Sequence, residues 1–162
     1  MADEEPEIVA SWSDLRDVAV AEILASARTM TLATAAGRVP HAAPLFFAHD
    51  DALNLYFLSD PATRHARDAS AVGRVAAAIY ADEADWRRLR GLQLSGSVRA
   101  LGTGSGRERG WQTYVGRFPL VVELPDAVAR SQLYALSPQW LRLIDNRRGF
   151  GFRREWRVMT DR

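Results

Sequence analysis

Seven consecutive residues, Ser59-Asp60-Pro61-Ala62-Thr63-Arg64-His65, concentrate the most usable chemistry of the chain. Asp60 followed by Pro61 is a helix-start signal: a capping carboxylate, then a proline whose missing N–H costs nothing at the first helical position. Ser59 and Thr63 bring hydroxyls, Arg64 a guanidinium and His65 an imidazole. All of them fall where a helix presents free N–H groups and the positive end of its dipole. Such a set can cradle a phosphate. An ordinary capped helix with a solvated arginine face accounts for the same residues, and the local sequence does not choose between the two.

Other chemistries find less to work with. The chain has no cysteine, which removes disulfides, thiolate catalysis, iron–sulfur ligation and cysteine-bound zinc. All 21 basic residues are arginine, so no lysine is present for a Schiff base. Every cationic contact then falls to guanidinium, imidazolium or the amino terminus, and arginine suits bidentate grips on phosphate. His41, His49 and His65 lack metal-ligand spacing. Gly102-Thr103-Gly104-Ser105-Gly106 lacks the lysine of a Walker loop and the third glycine of a dinucleotide fingerprint, so it reads as a flexible turn. No G-x-S-x-G elbow occurs. Trp111 and Tyr114, just after the glycine loop, could stack on a flat ligand or simply pack.

The elements that must position the Ser59–His65 motif read as mainly β. Residues 30–35, 40–48 and 53–59 are β-rich and joined by short turns at Gly37-Arg38 and 49–52, as in an antiparallel meander. A helix follows from Asp60 to about Gly73, then a strand over 74–81 and a charged helical link over 83–90. Residues 91–101 alternate, with Leu92, Leu94, Val98 and Ala100 on one face and Gln93, Ser95, Ser97 and Arg99 on the other. A helix over 107–115 and a short turn over 125–130 precede strands at 133–136, 140–144 and 150–158. Near the start, Ser11 and Ser13 can cap a helix with the stripe Leu15, Val18, Ala19, Ile23, Ala27. At least six strands with few helices predict a small closed or half-closed barrel.

The 162 residues suit a single domain spanning the chain, with residues 1–11 flexible and a barrel core over about 28–158. Twenty-one basic against twenty acidic side chains leave a formal charge of +1, which argues against nucleic acid or an anionic membrane as partner. The acidic opening, Asp3-Glu4-Glu5-Pro6-Glu7, is unlike a leader, and no apolar run approaches the ~20 residues that span a bilayer. A cytoplasmic protein is expected.

Four motifs carry a resemblance: Thr63-Arg64-His65, Gly91-Leu92-Gln93-Leu94-Ser95-Gly96, Arg117-Phe118-Pro119 and Asp145-Asn146 with Gly149-Phe150-Gly151. Together with the strand order they resemble the FMN-binding split β-barrel, the superfamily of pyridoxamine 5′-phosphate oxidase, and within it a small bacterial family. The resemblance spans roughly residues 23–158. It implies a mainly β (α+β), six- to seven-stranded antiparallel split barrel with peripheral helices, dimeric, with FMN at the subunit interface. By position it implies that Arg64 and His65 bind the flavin phosphate with Ser59 and Thr63 beside them. It also implies that Ala42, Ala43 and Pro44 run along the isoalloxazine edge, and that Gln93 and Asn146 touch the flavin. The superfamily's usual lysine falls at His65, so charge compensation there would weaken above the imidazole pKa. The pyridoxamine phosphate signature itself is not evident.

The expected function is an FMN-dependent oxidoreductase passing electrons between a reduced nicotinamide and a small acceptor, the cofactor carrying the chemistry. A non-enzymatic module holding flavin or haem, the latter with His41 as axial ligand, is the alternative. A deazaflavin-dependent reductase is the third reading. Phe46, Phe47 and Tyr56 are the aromatics expected on the dimer surface.

Overall fold

Apolar side chains recur at every second position through Met30, Leu32 and through Leu92, Leu94, which is the period of a strand with one buried face. The structure, a computed structural model describing residues 5–158, shows strands at both places. In chain order the elements are β1 (Glu7–Val9), α1 (Val18–Ser26), β2 (Thr29–Ala36), β3 (Val39–Phe46), β4 (Ala48–His49) and β5 (Leu55–Ser59). There follow α2 (Arg64–Val72), β6 (Arg74–Tyr80), β7 (Arg90–Ala100), α3 (Ser105–Arg117), α4 (Pro125–Arg130), β8 (Gln132–Asp145) and β9 (Arg153–Val158). No helix among the described residues is long and apolar enough to cross a membrane.

Pairing closes these strands into a ring. β3 pairs β2, β2 pairs β6, β6 pairs β7, β7 pairs β8 and β8 pairs β5, all antiparallel. Beyond Phe46 the chain of β3 continues as β4, which pairs β5. The ring is therefore shut by one segment changing partners, and β3 keeps an edge that no strand among the described residues covers. That opening is the split. Inside lie Leu32, Leu55, Phe57, Ile79, Leu92, Leu136, Leu141 and Leu143, all buried, with Val20, Ile23 and Leu24 of α1 packed against them. A smaller cluster of Tyr56, Leu101, Tyr114 and Leu133 seats α3 on the far side of β5.

Several expectations are corrected in detail. The strands over 133–136 and 140–144 are one, β8, because Pro138 sits at a bulge opposite Ser95 and Gly96 instead of ending the strand. Gly96 is required there: a Cβ would meet the Ser137 carbonyl oxygen at 2.1 Å. The charged link over 83–90 forms turns pinned by Asp85 and Arg87, not a helix. Asp17 caps α1, while Ser11 caps a 3₁₀ turn at Trp12–Asp14, so Leu15 lies outside the helix. Nine strands form among the described residues, and β1 lies inside the stretch expected to be flexible, pairing β9 in parallel. Phe47 is wholly buried and Tyr56 nearly so; of the three aromatics expected outside, Phe46 alone is exposed.

Candidate functional site

The helix of the Ser59–His65 motif begins three residues later than Pro61 suggests. Asp60 closes a turn by accepting from the Ala62 N–H, and α2 starts at Arg64 with Thr63 in the N-cap position. Thr63 makes no side-chain cap; its Oγ1 donates instead to the Asp60 carbonyl at 2.8 Å. The first N–H groups of α2 are thus left without the side-chain acceptor that most helices supply. Gly73, at φ 70°, ends α2 in the left-handed conformation that favours glycine.

Three side chains converge beside that helix start. Ser59 Oγ lies 2.6 Å from His65 Nε2 and 3.0 Å from Thr63 Oγ1, and Thr63 Oγ1 lies 3.2 Å from His65 Nε2. The rings of His65 and His41 lie parallel, with centroids 6.2 Å apart, which ties the group to β3. Burial first, and the like-charged His41 second, hold His65 below the ordinary imidazole range, with Asp68 pulling the other way. The neutral ring is thereby favoured. Hydroxyls, a neutral imidazole and uncapped backbone N–H groups fit a phosphate: each can turn a donor toward it, Thr63 by releasing the Asp60 carbonyl.

Arg64 is placed differently. Its Nη2 donates to the Val39 and Pro40 carbonyls at 3.3 and 3.4 Å, and its Nε lies 3.6 Å from Asp68, whose Oδ2 accepts from Thr34 at 3.3 Å. Arg64 therefore clasps the start of β3 to α2 instead of joining Ser59, Thr63 and His65. Ala42 and Pro44 face outward and are exposed, whereas Ala43 faces inward and is buried. Gln93 is exposed on that same outward face: register links Pro44 to Thr31, Thr31 to Ala78 and Ala78 to Gln93. Its Oε1 accepts from Arg142 at 3.4 Å. Asn146 is occupied elsewhere, donating to the Trp86 carbonyl at 2.7 Å and accepting from the Gly151 N–H at 3.0 Å, so it braces two loops. His41 was named from sequence only as a haem ligand, and its ring contact with His65 follows from β3 passing beside α2. Among the described residues no group of three or more His, Asp or Glu could hold a metal ion.

Comparison with known proteins bears on this arrangement. The chain is 33% identical over 102 residues to the UPF0306 protein YhbP of Salmonella paratyphi A, a stretch covering 63% of this chain and 65% of that protein. The chain thus spans just under two thirds of the length of the curated relative it matches. A haem-binding protein from Mycobacterium smegmatis superposes with a TM-score of 0.71 at 18% identity, over 88% of this chain and 59% of that one. An FAD-binding protein from Mesorhizobium loti does so with a TM-score of 0.64 at 18% identity, over 78% and 92%. At such identities these two show a shared fold and nothing finer. Residues 17–145 match the pyridoxamine 5′-phosphate oxidase family over most of the chain, and the protein belongs to that family.

Proposed function

We propose that the protein is a flavin-binding oxidoreductase that holds FMN and passes electrons between a reduced nicotinamide and a small acceptor. The observation that carries this reading is the convergence of Ser59, Thr63 and His65 on an uncapped helix start. There the α2 N–H groups and the three side chains would hold the phosphate, with Arg64 keeping β3 against α2. The open edge of β3 and the outward Ala42, Pro44 and Gln93 would flank the ring, and the small Ala42 and Pro44 leave room for a flat group. When bound, the isoalloxazine supplies the hydride and electron chemistry, so the chain needs no nucleophile of its own. The outward face of β3, β2 and β6 carries Ala42, Pro44, Ala33, Thr31, Ala76 and Ala78, a flat apolar surface suited to a second copy of the chain. A homodimer enclosing the cofactor belongs to the same proposal.

Haem is the second reading, favoured by His41, half-buried beside His65, and by the shared fold with a haem-binding protein. Absorbance and mass spectrometry of the ligand released from purified protein decide between them. Flavin absorbance with the mass of FMN, and turnover of reduced nicotinamide, are expected. A Soret band transfers the site to haem, and the mass of a deazaflavin transfers it to that cofactor. Colourless protein that takes up no added FMN overturns the flavin reading.

A further inference from the structure

A cleft of about 450 Å³ opens on the outward sheet face away from β3, lined by Arg74, Ser95, Gln139, Trp140, Arg157 and Val158. It crosses four adjacent strands, with Arg74 on β6, Ser95 on β7, Gln139 and Trp140 on β8, and Arg157 on β9. Arg74, Ser95, Gln139 and Arg157 make no side-chain hydrogen bond or ion pair with any described residue, whereas other arginines of these strands are matched. Arg142 pairs with Glu155 and Arg154 with Glu7. Among the described residues no carboxylate lines the cleft.

The floor is built, not incidental. The β8 bulge adds Gln139 opposite Ser95 and Gly96 and so re-aims that side chain, which is what bulges beside binding sites do. Trp140 is held still: its Nε1 donates to Glu155 at 2.9 Å, and the Arg142 guanidinium lies 5.1 Å from its ring centroid. Three strand spacings of ~4.8 Å, with Arg74 two residues along from the Ser95–Trp140–Arg157 row, set the two rim arginines about 16 Å apart at the backbone, within the joint reach of two extended arginine side chains on one diphosphate. Unpaired guanidinium groups with neutral donors between them select phosphate oxygens, and a fixed indole selects a flat ring.

We infer that this cleft binds a nucleotide, its phosphates held by Arg74 and Arg157 and its base against Trp140. This site is distinct from the α2 cradle and does not depend on that cradle taking a flavin. The probe is ADP, measured by equilibrium dialysis on the full chain, with adenosine as the uncharged control. ADP is expected to bind, with adenosine and the Arg74→Gln/Arg157→Gln double variant each weaker by on the order of a hundredfold, about tenfold for each lost arginine contact. Both arginines are exposed, so the variant keeps its fold, and its FMN uptake should match that of the parent. Saturating FMN should leave ADP binding unchanged. The inference is overturned if ADP fails to bind, if the double variant binds ADP as the parent does, or if FMN displaces it. A chain that binds ADP but no FMN keeps this inference and loses the flavin reading.

Discussion

At His65 two demands oppose each other: burial and His41 favour the neutral ring, while a phosphate dianion favours the imidazolium. Because the folded, ligand-free ring is depressed, its contribution to stability is present above the unfolded value of ~6.5 and is lost as pH falls through the folded value. Binding reverses the balance. A phosphate at Ser59, Thr63 and His65 should raise the imidazole pKa, so FMN binding takes up a proton. Affinity should then fall by about tenfold per pH unit between the free and bound values. Titration from pH 7 to 9, above the second phosphate ionisation near ~6, should show that fall for FMN and none for riboflavin. Parallel curves would remove His65 from the phosphate site. That Ser59, Thr63 and His65 meet was legible because they are neighbours in sequence at a strand-to-helix junction. The direction of Arg64 was not, since it is set by the Val39 and Pro40 carbonyls, 25 and 24 residues away. The surroundings of Asn146 were hidden for a similar reason: its amide bonds to Trp86 and Gly151, on loops whose meeting no local pattern announces.

Among the elements, α3 shows how a motif noticed in sequence can have a structural use. Arg117, in the last turn of α3, donates through Nη2 to the carbonyls of Leu24, Ala25 and Ala27 at the end of α1. Its guanidinium also lies 5.7 Å from the Phe47 ring centroid. A cation at a helix C-terminus satisfies orphan carbonyls and meets the negative end of the dipole. Arg117→Ala should cost about 2–3 kcal/mol in denaturant unfolding, the range for hydrogen bonds to a charged group, without changing the slope. A loss below about 0.5 kcal/mol would mean that α1 and α3 dock without it. The strands were legible wherever one face is buried, because period-two alternation then shows. The link over 83–90 misled because its charges resemble a helix face, yet Asp85 spends them on a local turn. Pro138 misled because proline usually ends a strand, whereas here a bulge absorbs it.

For the whole molecule, the closed ring and its outward face decide assembly. Ala42 points from β3 into solvent in a single chain, so Ala42→Arg should leave the fold of that chain intact, as read by circular dichroism. In a dimer built on that face the same side chain would bury an unpaired charge. Light scattering should therefore report a dimer for the parent and an 18.0 kDa species for the variant. A parent that is already monomeric would reject the interface. The barrel itself was foreseeable from strand count and short turns, but β1 was not. Three residues, Glu7–Val9, carry too little pattern to read, and their partner lies at the opposite end of the chain. That pairing has a consequence for synthesis. Glu7 meets Trp156 and Val9 meets Val158, so β1 has no partner until β9 has been made. Until β9 emerges, Trp140 to Ile144 of β8 also present an unpaired edge. The nascent chain thus stays unfinished on that side throughout elongation, and a product cut short before Arg153 would keep an open strand for another chain to seize.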